Sequence, residues 1–216
     1  MRIGIQSFRH LSLFLASALV TSLCFASTAK SLTYHYQLSI PNGWEQVSAS
    51  QLAELNASLP PVAQITYDMA LRPKGGHSGY PYVLVQVFPP ARTHLSAWPS
   101  ESQFNSIVQQ FSRGSQAVPN LKPIVESIKN DQQREWTKGF MEEIAKSKIT
   151  SDTEHRTFAT IIDGPIANGK PVTGMAVWRF ASDGTLVQFN CYAWSAEFEK
   201  NRADFARVVS SFKSGI

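Results

Sequence analysis

The sequence predicts an α+β domain of about six strands, with helices between the strands and after the last one. Three observations indicate this class. Several segments alternate apolar and polar residues with the period of two that is typical of a half-buried strand. Other segments repeat apolar residues at helical spacing. Turn residues, mostly Pro, Gly and Asn, separate the segments of the two kinds.

The first 29 residues are expected to be removed as an export signal. Arg2 and Arg9 precede the apolar run 11–25, which ends at small residues suited to cleavage. Ala29 is the preferred cleavage site and Ala26 the alternative. The apolar run is shorter than the about 20 residues that a membrane-spanning helix needs. The protein is therefore expected to be periplasmic or secreted, without a transmembrane helix after signal removal.

Cys24 permits a second, less favoured interpretation of this segment. A lipoprotein signal has a small residue before its cysteine, whereas the bulky Leu23 precedes Cys24 here. Lipidation would make Cys24 the first residue of the mature protein and attach the domain to a membrane. Residues 30–216 are expected to form a single domain with a helical insertion near 100–148.

The composition fits one folded domain and gives little support for nucleic-acid binding. Of 216 residues, 43% are hydrophobic and 17% are charged. The chain has 20 Lys+Arg against 16 Asp+Glu, and removal of Arg2 and Arg9 leaves 18 against 16, a net charge of +2. No basic run or basic–aromatic pattern is present. The one cysteine of the mature chain cannot form an intrachain disulfide, so the core must hold the fold unaided.

The first half of the chain predicts three strands and two helices. The strand 32–40 places Tyr34, Tyr36, Leu38 and Ile40 on one face. The helix 48–59 begins at a possible cap, Ser48, and ends before two prolines. Alternation predicts a second strand over 62–73, with Ile65, Tyr67, Met69 and Leu71 on one face, and an apolar run predicts a third over 80–88. An apolar stripe that includes Phe104 and Phe111 predicts a helix over 100–112.

The second half predicts two more helices and three strands. Residues 121–147 have helical periodicity, but the polar stretch "KNDQQRE" leaves open whether they form one helix or two. Strands are predicted over 155–162, 171–181 and 185–194, and a closing helix with an apolar stripe over 196–213.

The pairing of the last two strands determines how Cys191 is interpreted. The dipeptide Asp183-Gly184 predicts a two-residue hairpin loop in which Ser182 pairs with Thr185. Phe180 then faces Val187, Trp178 faces Phe189, Ala176 faces Cys191 and Gly174 faces Ala193. Because this face is entirely apolar or small, Cys191 is expected to be a buried packing residue, in preference to a nucleophile or a metal ligand.

The candidate binding residues lie in two loops. His77, Arg92 and His94 have a simpler interpretation as loop residues without a ligand, and Trp98 has one as a core residue. The glycine-rich stretch "GGHSGY" contains His77 and Tyr80 and could bring backbone close to a ligand. Arg92 and His94 follow the strand 80–88 and could hold an anion, and Trp98 could join a contact patch. No catalytic triad, phosphate-binding loop or metal-ligand spacing is present, so the sequence predicts no catalytic residues, no metal and no cofactor.

The two ends of the mature chain resemble the PsbP-like and DcrB-like exported proteins. The opening "YQLSIPNGWEQV" is similar to theirs, as is the closing "DGTLVQFNCYAWSAEFEKNRADFARVVSSFK", a hairpin and strand followed by a helix. The match does not extend to residues 100–150. The resemblance implies an antiparallel sheet flanked by helices in an α/β/α sandwich. It also implies a non-catalytic role, because such proteins commonly act as accessory factors docked to larger complexes.

Three functions follow as hypotheses. The first is an exported accessory or binding protein of the cell envelope that docks to a larger protein assembly. Its docking surface is expected on the loops 73–79 and 89–99 or on 121–147. The second is a carrier of a small ligand or lipid in a cavity between sheet and helices. The third and least favoured is an envelope hydrolase that uses His77, Ser78, Arg92 and His94.

Overall fold

The computed structural model describes residues 27–59, 65–76, 79–116, 125–167 and 169–215. Within them the strands are β1 Ser27–Ser31, β2 Tyr36–Ile40, β3 Trp44–Gln46, β4 Tyr67–Pro73, β5 Tyr82–Phe88, β6 Thr150–Asp152, β7 Thr157–Ala167, β8 Lys170–Phe180, β9 Leu186–Trp194 and β10 Lys213–Ser214. The helices are α1 Ala49–Ser58, α2 Pro90–Thr93, α3 Glu101–Gln116, α4 Asp131–Lys146 and α5 Phe198–Ser210.

Most of the strands form one antiparallel sheet. Its seven strands lie in the order β3-β4-β5-β9-β8-β7-β6, and β1, β2 and β10 form a small second sheet. The predicted α+β class with an antiparallel sheet flanked by helices is confirmed. The sequence predicted fewer strands than the described residues contain. The missed strands include β3, β6 and β10, whose two or three residues are too few to show a period of two.

The large sheet is covered on both faces. On one face Val85, Val177 and Phe189 pack in a core with Phe205 and Val208 of α5. On the opposite face Phe158, Trp178 and Phe180 pack against a second cluster, which contains Phe104, Ile107, Val108 and Phe111 of α3. The central strands β8 and β9 are consequently buried on both faces over most of their length, which explains their long apolar runs.

The predicted register of the β8–β9 hairpin is wrong by one residue. Phe180 pairs with Leu186, Val177 with Phe189 and Met175 with Cys191. The loop has three residues instead of two, since Ala181 and Thr185 still form a backbone hydrogen bond of 2.8 Å. Gly184 takes the positive φ of 88° that closes a three-residue hairpin loop.

The shift of register changes the partners of Cys191 but leaves it in the core. Trp178 now lies on the face opposite to Cys191, because neighbouring strand positions alternate between faces. Cys191 is 0% exposed and belongs to the α5-facing core, so the predicted packing role is confirmed. Arg179 lies on the α5 side and donates to the Val209 carbonyl oxygen.

Two serines begin helices through side-chain caps. The predicted Ser48 cap is confirmed, because the Gln51 backbone N–H donates to Ser48 Oγ over 3.3 Å. Ser100 and Gln103 form a reciprocal capping box, in which each backbone N–H donates to the other side chain. The predicted helical region 121–147 is interrupted before α4, since residues 127–130 are not helical and α4 begins only at Asp131.

The start of the chain differs from its prediction at Tyr34. Residues 32–35 form a turn that exposes Tyr34, so this residue does not share the buried face of Tyr36, Leu38 and Ile40. The strand β1 pairs with β2 across this turn, and its Ala29 is buried opposite Leu38.

We predict that Gly184→Ala destabilises the protein more than Gly43→Ala does. Both glycines have positive φ, but an added Cβ at Gly184 would lie 2.8 Å from Leu95 Cβ, whereas nothing lies within 4 Å at Gly43. The backbone cost of about 1–3 kcal/mol is common to both variants, and the contact with Leu95 adds to it only at Gly184. Urea unfolding measures both free energies, and equal losses would contradict the steric argument.

Candidate functional site

A cavity of about 580 Å³ lies between the large sheet and the helices α3 and α4. Its floor is the face of the sheet opposite α5. Its roof is formed by Gln110 and Phe111 of α3, by Met141 and Ile144 of α4, and by Ile149 in the connection to β6. Sheet and helices thus flank a partly open space of the size that small-molecule sites in proteins commonly have, about 300–1,000 Å³.

Three rows of paired residues build the floor, because alternate residues of each strand point to this face. The row that contains Gln86 consists of Tyr67, Gln86, Gln188 and Trp178. The next row consists of Leu84, Asn190, Ala176 and Thr160. The last consists of Tyr82, Tyr192, Gly174 and Ile162. The middle of the floor is therefore made of amide side chains beside the small residues Ala176 and Gly174.

A β-bulge brings Tyr67 into the cavity. Tyr67 pairs with Gln86 and Met69 with Val85, so Asp68 is an extra residue in β4. The predicted common face of Tyr67, Met69 and Leu71 is wrong for this reason, since the bulge turns Tyr67 to the opposite side. The Asn56 side chain of α1 holds the bulge by hydrogen bonds of 2.8 and 2.9 Å with the backbone N–H and carbonyl of Tyr67.

The amides of the floor have few hydrogen-bond partners. Gln188 Nε2 donates to Asn190 Oδ1 over 2.7 Å. Gln86 is 7% exposed and lines the cavity, yet its amide forms no hydrogen bond with the described part of the chain. Buried polar groups in proteins are nearly always hydrogen-bonded. Gln86 therefore turns its amide to the open space of the cavity and has no partner among the described residues.

Trp178 closes one end of the floor within an aromatic stack. Its ring lies parallel to Phe158, with centroids 4.8 Å apart, and Phe111 of α3 packs on it at 5.3 Å. The indole N–H is buried and has no hydrogen-bond partner among the described residues. The stack fixes this wall by packing alone.

Tyr192 and its aromatic neighbours form the other end. The Tyr192 ring lies so close to β8 that a Cβ added at Gly174 would be 2.8 Å from Tyr192 Cε1, so this position needs glycine. Tyr82 packs against Tyr192 with centroids 5.4 Å apart, and Tyr80 contacts Tyr82 and Trp194. Tyr192 lines this end of the cavity, and the other rings lie behind it.

The described lining carries no charged side chain. Tyr67 and Tyr192 are the titratable groups of the described lining, and burial raises the pKa of Tyr67 to about 12. Burial also raises the pKa of Tyr192 well above its usual range. A phenol with the ordinary pKa of about 10 is already neutral at neutral pH. This part of the site therefore offers hydrogen bonds and apolar contact without charge.

The structure separates the binding residues that the sequence proposed. His77 and Ser78 lie outside the described residues. Tyr80 lies before β5 and outside the cavity lining, where its ring packs on Tyr82 and Trp194. The other three follow the far end of β5, where Arg92 lies over the Phe88 ring and where His94 and Trp98 are exposed. The length of β5, seven residues at about 3.4 Å each, separates Tyr80 from this group.

Sequence reasoning missed Gln86, Gln188 and Asn190. Each interrupts an otherwise apolar strand, in "VLVQVF" and in "LVQFNCYAW". A polar residue in a strand that is buried on both faces needs a partner or a ligand, which is the signal that could have found them.

The described residues contain neither a membrane-spanning helix nor a cluster of metal ligands. No helix in the described segments is long and apolar enough to cross a membrane. Within the same segments, no three His, Cys, Asp or Glu side chains gather where they could hold a metal ion.

Comparison with known proteins shows a fold and no sequence family. No protein-family model matches the sequence, and no curated protein matches it either. The chain is similar to the cyanobacterial PsbP of Synechocystis sp. PCC 6803, with 12% identity, a TM-score of 0.44, and coverage of 88% of this chain and 92% of that one. The resemblance to PsbP-like proteins is confirmed at the level of the fold.

Two further solved structures share the fold. LpqN, described as involved in cell envelope biogenesis of Mycobacterium tuberculosis, has 10% identity and a TM-score of 0.37, with 87% of this chain and 83% of that one covered. The Ran-binding protein Mog1p of Saccharomyces cerevisiae has 9% identity and a TM-score of 0.40, with coverage of 87% and 94%. At these identities the similarity concerns the fold alone.

We predict that Cys191 does not react with a thiol reagent in the native protein. It is 0% exposed, and burial raises the pKa of its thiol far above the usual range, so almost no thiolate is present at pH 8. In a Cys24→Ser background, native labelling is expected to be slower than labelling in urea by about two orders of magnitude. Rapid native labelling would show that Cys191 is accessible.

Proposed function

We propose that this protein is an exported, non-catalytic binding protein that holds a small, mostly apolar molecule in the cavity. The cavity itself is the observation that carries the proposal. Its volume of about 580 Å³ is that of a ligand site, and its walls are aliphatic and aromatic with a few polar groups. This is the carrier hypothesis that the sequence ranked second.

The chemistry of the lining supports binding in preference to catalysis. General acid–base catalysis needs a group that gains or loses a proton near the working pH. The described lining contains no Asp, Glu, His, Cys or Lys, and burial raises the pKa of its tyrosines further from the working pH. Amides can orient a ligand but do not transfer protons at neutral pH.

Docking to a larger protein assembly, which the sequence ranked first, has one observation in its favour. Trp98 in the loop 89–99 is 44% exposed, and tryptophan is a frequent anchor of protein interfaces. A single exposed aromatic residue is a small patch, whereas the cavity is formed by five strands and two helices. Ligand binding is therefore the function that the geometry supports best.

Export is part of the proposal and determines where the mature chain starts. Cleavage after Ala29, the site preferred from the sequence, would remove the first three residues of β1, and cleavage after Ala26 would leave β1 whole. The intact mass of the protein recovered from outside the cytoplasm distinguishes a start at Lys30 from one at Ser27. Recovery of a chain that retains Met1 would contradict signal cleavage.

We predict that the protein binds the uncharged dye 1-N-phenylnaphthylamine and that Ala176→Phe weakens this binding. Ala176 lies in the middle row of the floor, so a phenyl ring there would occupy the space that the dye needs. The expected loss of affinity is at least about tenfold, which corresponds to about 1.4 kcal/mol. A fluorescence titration of the mature protein measures it.

The matched control is Ala53→Phe, which places the same ring on the exposed surface of α1 and should leave dye binding unchanged. If Ala176→Phe does not fold, Ile144→Trp fills the cavity from the half-buried face of α4 and serves the same purpose. Absence of dye binding by the unmodified protein, or full binding by folded cavity-filling variants, would overturn the proposed function.

A further inference from the structure

Three amides converge on one side of the cavity. Gln86 and Gln188 are register partners on β5 and β9, so their Cβ atoms are about 5 Å apart. Asn190 follows Gln188 by two residues, about 7 Å further along the same face. We call Gln86, Gln188 and Asn190 the amide triad. It presents several hydrogen-bonding groups within the span of one small polar head group.

The triad is incompletely satisfied by the protein. The Gln188–Asn190 hydrogen bond uses one N–H of Gln188 and one acceptor position of Asn190. The amide N–H groups of Asn190 and the whole amide of Gln86 have no hydrogen-bond partner in the described chain, although these residues are only 6% and 7% exposed. The site thus offers both donors and acceptors, which is what a ligand amide or hydroxyl group requires.

The remainder of the cavity lining disfavours a charged ligand and favours one with a hydrocarbon chain. An ionised group transferred into a cavity without a counter-ion loses its hydration and gains no partner of opposite charge. The described lining has no charged side chain to compensate. Opposite the triad, the roof presents Phe111, Met141 and Ile144, and methionine adapts readily to the shape of an apolar chain.

We infer that the ligand is an uncharged amphipathic molecule whose amide or hydroxyl head bonds the amide triad while its hydrocarbon body packs under α3 and α4. This inference rests on the proposed function, because it names the class of ligand that the cavity takes. It adds a specific claim, that the triad discriminates a neutral polar head from a charged one of the same size.

Octanamide and octanoate test the claim directly. They have the same chain length and nearly the same shape, and at pH 8 they differ in that octanoate is ionised. Each is titrated into the mature protein loaded with 1-N-phenylnaphthylamine, and loss of dye fluorescence reports competition. Octanamide is expected to compete at least about tenfold more strongly than octanoate.

The variant Gln86→Leu tests whether the triad causes the preference. Leucine keeps the size of the side chain and removes its amide, so octanamide affinity, calculated with the dye affinity measured for the same variant, should fall by about tenfold. The matched control is Gln109→Leu, on the exposed surface of α3, which should change neither ligand. If Gln86→Leu does not fold, the comparison of octanamide with octanoate in the unmodified protein still tests the inference.

The outcomes separate the inference from the function on which it rests. If neither the dye nor octanamide binds, the proposed function fails. If the dye binds but octanoate competes as well as octanamide or better, the cavity is a ligand site and the inferred ligand class is wrong. The same conclusion follows if Gln86→Leu folds and binds octanamide as the unmodified protein does.

Discussion

The structure depends on a central sheet that is covered on both of its faces. Since α5 covers one face and α3 and α4 cover the other, β8 and β9 have almost no solvent-facing position. A residue in such a strand has to be apolar, or its polar group has to form a hydrogen bond within the protein interior. The α5 face meets this condition with side chains such as Val177, Phe189 and Cys191. The opposite face carries the amide triad, and there the condition is met only in part.

The two faces are also packed differently, and this difference creates the cavity. Next to α3 the stacked rings of Phe158, Trp178 and Phe111 fill the space between sheet and helix. Further along β8 the residues that point to the same face are Ala176 and Gly174, which contribute almost no volume. Helices that are held off the sheet by large side chains at one end leave a space above small side chains at the other. The cavity therefore follows from the distribution of residue sizes along β8.

The burial of β8 and β9 on both faces also explains why the sequence predicted their positions but not their register. Periodicity located the long strands and helices, because alternation and helical stripes are properties of local sequence. The hairpin register could not be derived in this way. Two-residue and three-residue loops both use the glycine of "ASDGTL", and the two-residue loop was preferred together with a register in which one face is entirely apolar or small. In a strand that is buried on both faces, such a face carries little information about register.

The site was harder to predict than the fold because it is formed by long-range pairing. Candidate residues were sought in loops, where His77, Arg92 and His94 are conspicuous, whereas Gln86 and Gln188 lie within apolar strands about a hundred positions apart in the sequence. Their convergence requires the β5–β9 pairing, and the approach of Tyr67 requires a bulge at Asp68 that alternation alone does not reveal. A buried polar residue in an apolar strand is visible in the sequence as an exception. Only the pairing shows that two exceptions on distant strands are neighbours, and that the neutral amides they carry belong to one site.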